Sequence, residues 1–184
     1  IEPERKAIIA HSLGPHLLNS EVFEKATDVV LLCSFAQFLP QNPPDRTLIM
    51  ALKGMQKQLG SSKETEMLNA FLKKACLPFP REVLTAGPMS CGLSAQGRKK
   101  LKLDLELLRN TKGLPKGFSP KARVLIIEGS KDQIVASASR TALVKEIANF
   151  IESPPSHWEL PDQGHLLIKP ALIEQVFKWL ELTP

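Results

Sequence analysis

Apolar residues along the chain fall into short β-branched runs that alternate with stretches of helical spacing. The runs with the composition of strands lie at 7–10 (AIIA), 28–34 (DVVLLCS), 122–129 (ARVLIIEG) and, shorter and mixed as in an edge strand, 157–160 (HWEL). Apolar positions three and four residues apart predict helices over 15–26, 137–151 and 171–182. This alternation predicts βαβ units and therefore an α/β fold, with a mostly parallel sheet and helices on both its faces.

The segment between residues 35 and 118 departs from the alternation, because it shows helical spacing only. Its predicted helices span about 45–59, 63–76 and 97–110. We therefore divide the chain into a sheet-forming core over 1–35, a helical lid insertion over 36–118 and a second core segment over 119–184. Residues 41–118 hold 14 Lys and Arg against 6 Asp and Glu, a net charge of +8, whereas the rest carries −3 of the total +5. A solvated lysine-rich surface explains this charge as well as an acidic partner does.

Length and composition restrict the class of protein. A chain of 184 residues with 43% hydrophobic content is enough for one well-buried core. No apolar stretch approaches 18 residues, and the charged start IEPERK does not resemble a signal peptide, so we expect no membrane span and a cytoplasmic location. Three widely spaced cysteines favour reduced thiols over a disulfide framework or a zinc site. The absence of Tyr and the 5% aromatic content argue against nucleic-acid binding.

The first chemistry-bearing candidate follows the first predicted strand. Ser12 in AHSLG stands between strand and helix, with the small residues Ala10 and Gly14 two positions before and after it. A nucleophile elbow needs small residues there, because the strand and helix backbones approach each other. The backbone N–H of Leu13, beside the helix N-terminus, would then be available to an oxyanion. The alternative interpretation is a serine that caps the helix of an ordinary βα turn.

Two further candidates follow later strands. Asp132 stands four residues after Glu128, and His165 follows a glycine on the loop after the last strand. Alone, Asp132 is equally well a turn former, and a loop histidine is usually incidental. All three candidates, however, lie beyond the carboxyl ends of parallel strands, where such sheets place their ligand sites, and they occur in the order Ser, Asp, His. A Ser–His–Asp triad is the interpretation that accounts for all three positions.

The motifs AHSLG, VLIIEGSKDQIV and ELPDQGHLL, with the helical insertion between them, resemble the α/β-hydrolase superfamily over essentially the whole chain. The segments AHSLGPHLL, LDLELLRNTKGLP and HWELPDQGHLLIKP are more closely similar to the pimeloyl-[acyl-carrier protein] methyl ester esterases of biotin synthesis, of the cyanobacterial type. The resemblance implies a serine carboxylesterase that needs no metal or other cofactor. It implies Ser12 as nucleophile, His165 as general base, Asp132 as the orienting acid and Leu13 in the oxyanion hole.

The resemblance also supplies a partner for the basic lid, since related enzymes bind an acidic acyl-carrier protein through lid arginines. The residues that offer equivalent charge here are Lys73, Lys74, Arg81, Arg98, Lys99, Lys100 and Lys102. Phe35 and Phe38, just past the second strand, are candidates for the acyl pocket, although aromatic residues at that depth also build cores. We expect His11 to pack in the elbow rather than to act in catalysis, and we expect the protein to be a monomer.

One feature departs from the superfamily, because several strands and a second oxyanion donor normally precede the nucleophile. Here about eleven residues precede Ser12, so we expect that N-terminal strands are missing from this chain. Two alternatives to the carrier-protein esterase therefore stay open. One is a general esterase of small esters, and the other is a non-catalytic hydrolase-like domain that binds an acidic protein or an acyl ligand.

Overall fold

The centre of the fold is a parallel sheet of four strands in the order β1-β2-β3-β4. The computed structural model describes residues 5–41, 44–84, 87 and 92–182. The strands are β1 (Ala7–His11), β2 (Asp28–Leu32), β3 (Arg123–Gly129) and β4 (Ser156–Leu160). In register, Ile8 pairs with Val29, and Val29 pairs with Val124. The predicted parallel α/β sheet is confirmed.

Helices cover both faces of this sheet. One face packs on α1 (Ser20–Glu24) and α5 (Ser137–Phe150), and its core includes Phe23, Leu143 and Ile147. The opposite face packs on α6 (Leu172–Glu181). The middle strands β2 and β3 are buried on both sides, which is why their sequences read as continuous apolar runs rather than as alternating ones.

The insertion forms a separate helical layer with its own apolar cluster. It contains α2 (Arg46–Gln58), α3 (Glu64–Cys76), a 3-10 turn (Arg81–Val83) and α4 (Ala95–Asn110). Its cluster reaches the sheet domain through Phe35, Phe38 and Val135. A hydrogen-bonded ion pair of 2.6 Å between Arg98 Nε and Glu64 Oε2 ties the start of α4 to the start of α3.

The predicted helix over 15–26 is wrong as a single element. A 3-10 helix (Gly14–Leu17) ends at Leu18, whose backbone is extended, and α1 then begins after Asn19, whose side chain accepts a hydrogen bond from the Glu21 N–H. Leu17 and Leu18 are 50% and 41% exposed, so their apolar spacing does not mark a buried face. The second strand ends at Leu32 rather than at residue 34, because Cys33 turns into the left-handed region with φ 43°.

Two further expectations concern the chain as a whole. Within the described ranges, no helix has both the length and the apolar content that a bilayer span requires. Cys33 and Cys76 are free and buried, while Cys91 lies outside the described residues.

Candidate active site

Ser12 is held in a strained turn directly after β1. Its φ of 56° lies in the left-handed region that non-glycine residues rarely occupy. Its N–H still donates to the Leu32 carbonyl (2.9 Å), and the Ser34 hydroxyl donates to the Ser12 carbonyl (2.9 Å). A Cβ placed on Gly14 would stand 3.7 Å from the Ala10 Cβ, so the strand and the following turn do approach each other. An added Cβ at position 14 would therefore make an ordinary van der Waals contact with Ala10.

Asp132 is fixed by the turn that follows β3. Its N–H donates to the Gly129 carbonyl (3.1 Å), and its Oδ1 accepts from the N–H groups of Ile134 (2.7 Å) and Val135 (3.1 Å). These bonds use one carboxylate oxygen and aim the other at His165. The geometry therefore presets the orientation of the acid.

His165 lies on the loop after β4, pressed against both the sheet and the lid. A Cβ on Gly164 would overlap the Leu77 carbonyl oxygen, and a Cβ on Gly129 would overlap the carbonyls of Gln163 and Gly164. Neither glycine has a positive φ, so close approach, not conformational freedom, requires them. The Lys131 N–H also donates to the Gln163 carbonyl (2.8 Å), which joins the loop of the acid to the loop of the base.

These three elements bring the predicted catalytic residues into one hydrogen-bonded chain. His165 Nε2 is 3.1 Å from Ser12 Oγ, and His165 Nδ1 is 2.9 Å from Asp132 Oδ2. The His165 side chain is 4% exposed and that of Asp132 is fully buried. Burial alone would raise the pKa of Asp132, but the hydrogen bond and charge of His165, with the two backbone donors, hold that pKa below its ordinary value. An ionised Asp132 keeps the proton of His165 on Nδ1 and leaves Nε2 free to take the Ser12 proton.

The backbone N–H of Leu13 is available as one oxyanion donor. Leu13 has αR dihedrals and its carbonyl accepts from the His16 N–H (3.0 Å), while none of the described residues accepts from its own N–H. The element that begins here is a short 3-10 helix rather than the predicted α-helix. The contribution of a helix dipole is therefore smaller than the sequence suggested, and the N–H itself is the group that matters.

A cavity of about 480 Å³ opens from Ser12 and Leu13 into the space beneath the lid. Its walls are mostly apolar side chains of α2, α3 and α4, and its polar lining groups include Gln58, Lys74 and Asp104. Phe38 lines this cavity, as expected for the acyl pocket. Phe35 does not: it is 1% exposed, with its ring 5.0 Å from that of Phe38 and 5.3 Å from that of His16. Phe35 therefore supports the pocket wall from behind.

The basic residues of the lid do not share one environment. Lys73 and Lys74 stand in the last turn of α3 and are exposed, and Lys74 also lines the cavity. On α4, the exposed lysines are Lys99, Lys100 and Lys102. Arg98 forms an ion pair with the buried Glu64, and Arg81 donates a hydrogen bond to the Leu84 carbonyl (3.4 Å). The freely exposed positive charge is therefore carried by the lysines rather than by the two arginines.

Two further side chains, those of His11 and Cys33, contact the segment that carries the base, and neither contact was predicted from the sequence. His11 Nε2–H donates to the His165 carbonyl (2.8 Å), and the two imidazole rings lie 4.7 Å apart between centroids. Cys33 Sγ lies 3.9 Å from the Gly164 carbonyl. No local sequence pattern predicts these contacts. His11 contacts a residue far away in sequence, and Ser34 donates to a backbone carbonyl. The close approaches at Gly129 and Gly164 were not predicted from the sequence either.

One atom each from His11, Cys33 and His165 lies within 4.8 Å of the others, which invites comparison with a metal site. Both ring nitrogens of His165 are already used in the triad, and His11 Nε2 is bonded to a carbonyl. Burial, and then the charge of Asp132, raise the pKa of the Cys33 thiol far above its ordinary value, which disfavours the thiolate that metals require. The chemistry of these donors therefore fits hydrogen bonding within the triad better than a metal site.

Comparisons with known proteins address the fold. A scan against protein-family models and a search of curated proteins each found no match. A search of solved structures found a 2-hydroxy-6-oxo-6-phenylhexa-2,4-dienoate hydrolase from a Rhodococcus species at 17% identity and a TM-score of 0.68, covering 97% of this chain and 65% of that one. The chain has the α/β-hydrolase fold.

Other solved structures give the same result. A bromoperoxidase from Bacillus anthracis matches at 13% identity and a TM-score of 0.67, covering 97% of this chain and 68% of that one. A thermophilic esterase from Thermogutta terrifontis matches at 12% identity and a TM-score of 0.62, covering 96% of this chain and 64% of that one. The chain therefore spans between 64% and 68% of the length of these three proteins, and at such identities the likeness is one of fold.

Proposed function

We propose that the protein is a serine carboxylesterase of the α/β-hydrolase fold, and that its substrate is the methyl ester of a pimeloyl group carried by acyl-carrier protein. The observation that carries the esterase part is the bonded chain from Asp132 through His165 to Ser12, which lines a mostly apolar cavity. Structural neighbours named as esterases and hydrolases support the same reaction class. The finer substrate rests on sequence resemblance and on the charge of the lid.

In the proposed reaction, the Ser12 hydroxyl gives its proton to His165 Nε2 as its oxygen attacks the ester carbonyl. The Leu13 N–H stabilises the negative oxygen that forms, and Asp132 stabilises the imidazolium. His165 then returns the proton to the leaving methoxide, which departs as methanol and leaves an acyl ester on Ser12. A water molecule that loses its proton to His165 hydrolyses this ester and releases the free carboxylate.

The cavity suits an acyl chain of this kind. A volume of about 480 Å³ with mostly apolar walls accommodates several methylene groups, each of which gains about 0.8 kcal/mol when it leaves water. The exposed lysines lie on α3 and α4, two helices that also contribute residues to the cavity, and they give this part of the lid positive charge. Such a surface favours an acidic carrier protein mainly by accelerating its association.

The experiment that tests the proposal is hydrolysis of pimeloyl-carrier-protein methyl ester by the full-length gene product, in parallel with Ser12→Ala. The exposed Ser61→Ala serves as the control for a generic serine substitution. Turnover by the wild type and Ser61→Ala, but not by Ser12→Ala, would support nucleophile and substrate together. Hydrolysis of p-nitrophenyl butanoate without turnover of the carrier ester would retain the esterase and reject the carrier. If Ser12→Ala hydrolyses both esters at the wild-type rate, the triad proposal is wrong.

The second candidate is a general esterase of small esters, and the mixed character of the lid favours it. Asp104 lines the cavity together with Lys74, so the charge at this position is balanced, and Arg98 is already paired with Glu64. For this candidate, neutralising Lys99, Lys100 and Lys102, which do not line the cavity, would leave all substrates unaffected. Salt dependence of the association rate distinguishes the two, because steering by the lid requires long-range attraction.

A further inference from the structure

His11 connects the strand that leads to the nucleophile with the loop that carries the base. It is the last residue of β1 and directly precedes Ser12, and its side chain reaches the loop of the base after β4. Because a carbonyl oxygen can only accept, the Nε2 of His11 must carry the proton of the 2.8 Å bond to the His165 carbonyl. Its ring also packs against the His165 ring, with 4.7 Å between centroids and planes inclined by 55°. One side chain thus fixes both the backbone and the imidazole of His165.

The loop that carries His165 needs such support. Asp162 and Leu167, on either side of His165, both have positive φ values (57° and 48°), which non-glycine residues adopt only when neighbouring contacts hold them there. The Lys131 N–H bond to Gln163 and the glycine contacts restrain the loop from the acid side. Among the described residues, the hydrogen bond from His11 is the restraint on the His165 backbone that comes from the nucleophile side.

We propose that His11 is a positioning residue, which sets the distance and direction of the Ser12–His165 hydrogen bond by holding the His165 main chain and ring against the end of β1. Its hydrogen bond goes to the main chain of His165, while the two ring nitrogens of His165 bond to Asp132 and Ser12. The bond it controls, 3.1 Å between Ser12 Oγ and His165 Nε2, is the one across which the proton must move. This inference rests on the proposed triad chemistry and adds to it a fourth residue.

The environment of His11 suits this task. Burial, and then the neighbouring His165, lower the pKa of His11, while the His165 carbonyl and the charge of Asp132 act in the opposite direction. A neutral His11 keeps a single Nε2 proton for the carbonyl. It also avoids a second positive charge beside the imidazolium that forms on His165 during the reaction.

His16 provides a closely matched control in the same chain. Its Nε2–H also donates to a backbone carbonyl at 2.8 Å, that of Phe35, its ring stacks on an aromatic ring, and burial lowers its pKa as well. Within the described part of the chain, its side-chain hydrogen bond and its ring contact are both with Phe35 and not with a member of the triad. Replacing either histidine removes one partly buried side-chain-to-backbone hydrogen bond, so any difference in catalysis between the two replacements reflects the position of His11.

The test measures kcat and KM for p-nitrophenyl butanoate, and the NMR signal of the His165 Nδ1–H, in the full-length gene product. For His11→Leu we expect kcat to fall about 10- to 100-fold with KM within about twofold, since displacement of a catalytic group by about 1 Å costs up to this factor. The Nδ1–H signal should shift or broaden. His16→Leu should leave both kcat and this signal as in the wild type.

Two more variants keep the test decisive if His11→Leu does not fold. The amide of His11→Gln can reach the position of Nε2 and donate to the His165 carbonyl, whereas that of His11→Asn is too short and occupies the Nδ1 position. We expect kcat of His11→Gln to exceed that of His11→Asn by about tenfold. Equal kcat for these two variants would overturn the inference.

The remaining outcomes also decide between hypotheses. Equal losses in His11→Leu and His16→Leu would mean a generic packing effect, and a rise in KM alone would mean that His11 contacts substrate. Either result rejects the positioning role. Failure of the wild type to react with a fluorophosphonate would reject the proposed function itself, whereas a reactive wild type with an unaffected His11→Leu rejects only the role of His11.

Discussion

The clearest consequence of the triad geometry is the expected effect of Asp132→Asn. Oδ1 of Asp132 accepts from two backbone N–H groups, and Oδ2 accepts from His165 Nδ1. In the variant, the amide oxygen should take the Oδ1 position. The opposite orientation would place an NH₂ group against two N–H donors, giving up two hydrogen bonds and leaving buried donors unpaired, at about 1 to 3 kcal/mol each. The NH₂ group must therefore face His165.

This orientation of the amide changes which ring nitrogen of His165 carries the proton. His165 Nδ1 must now accept a hydrogen bond, so the imidazole proton moves to Nε2, where it faces Ser12 Oγ instead of the lone pair that should take the hydroxyl proton. The same tautomer error in serine hydrolases lowers kcat about 10⁴-fold, which corresponds to about 5.5 kcal/mol of barrier. We expect a loss of this size in kcat. KM should be nearly unchanged, because Asp132 is not among the residues lining the cavity.

The assay is steady-state hydrolysis of p-nitrophenyl butanoate at pH 7 by Asp132→Asn and by the control Asp162→Asn. Asp162 lies on the loop of the base and is exposed, and its left-handed backbone suits asparagine, so its substitution removes a nearby carboxylate without touching the triad. Activity of Asp162→Asn should stay within about twofold, far less than the loss a misplaced catalytic group causes. If Asp132→Asn kept kcat within tenfold of the wild type, the assignment of Asp132 as the orienting acid would be refuted.

Three further predictions follow from the cavity, the lid and the sheet. In a series of p-nitrophenyl esters from acetate to hexanoate, kcat/KM should rise about fourfold per methylene, the equivalent of about 0.8 kcal/mol, and a flat series would contradict the acyl cavity. Neutralising Lys99, Lys100 and Lys102 together should raise KM for the carrier-bound ester and reduce its salt dependence but leave p-nitrophenyl butanoate unaffected, and equal effects on both would contradict carrier binding. Asp28→Asn should lower the free energy of unfolding by about 2 kcal/mol at pH 7, because Arg123 loses a charged acceptor, with a smaller, solvent-screened part from Arg5. Burial would raise the pKa of Asp28, but hydrogen bonds from Arg5, Thr27 and Arg123 hold it below its ordinary value, so the stabilisation is present above about pH 4 and should vanish in urea titrations as the pH falls through the folded-state pKa.

The two middle strands were the easiest to predict, because residues buried on both faces of a sheet are apolar at nearly every position. Within β2 and β3, every residue between Val29 and Leu31 and between Val124 and Ile127 is buried, so composition alone marks them. The prediction of a single helix failed at 15–26, where several of the apolar residues lie at the surface. Leu17 and Leu18 are exposed, so their spacing does not reflect a buried helix face. Asn19 caps a new helix, and the segment therefore forms two short helices instead of one.

The meeting of the three candidate catalytic residues was predictable for a different reason. Ser12, Asp132 and His165 each follow a strand of one parallel sheet, so topology alone brings them to one edge. The supports of the triad are not encoded in this way. His11 meets His165 across 154 positions of sequence, and Gly164 is required by the Leu77 carbonyl in the lid, which no local pattern reveals. Sequence thus locates the reacting groups, and packing decides how precisely they are held.

The division between reacting groups and lid charges makes the proposals separable by experiment. In the described residues, the hydrogen bonds that orient His165 come from the sheet domain, through Asp132 and His11, and none comes from a lid lysine. A lid lysine can therefore affect the encounter with a carrier protein without changing the proton transfer between Ser12 and His165. Changes confined to KM for the carrier ester would then report the partner, and changes confined to kcat on every ester would report the triad. A lysine substitution that lowered kcat on p-nitrophenyl butanoate would contradict this separation, and with it the view that the sheet domain alone sets the chemistry.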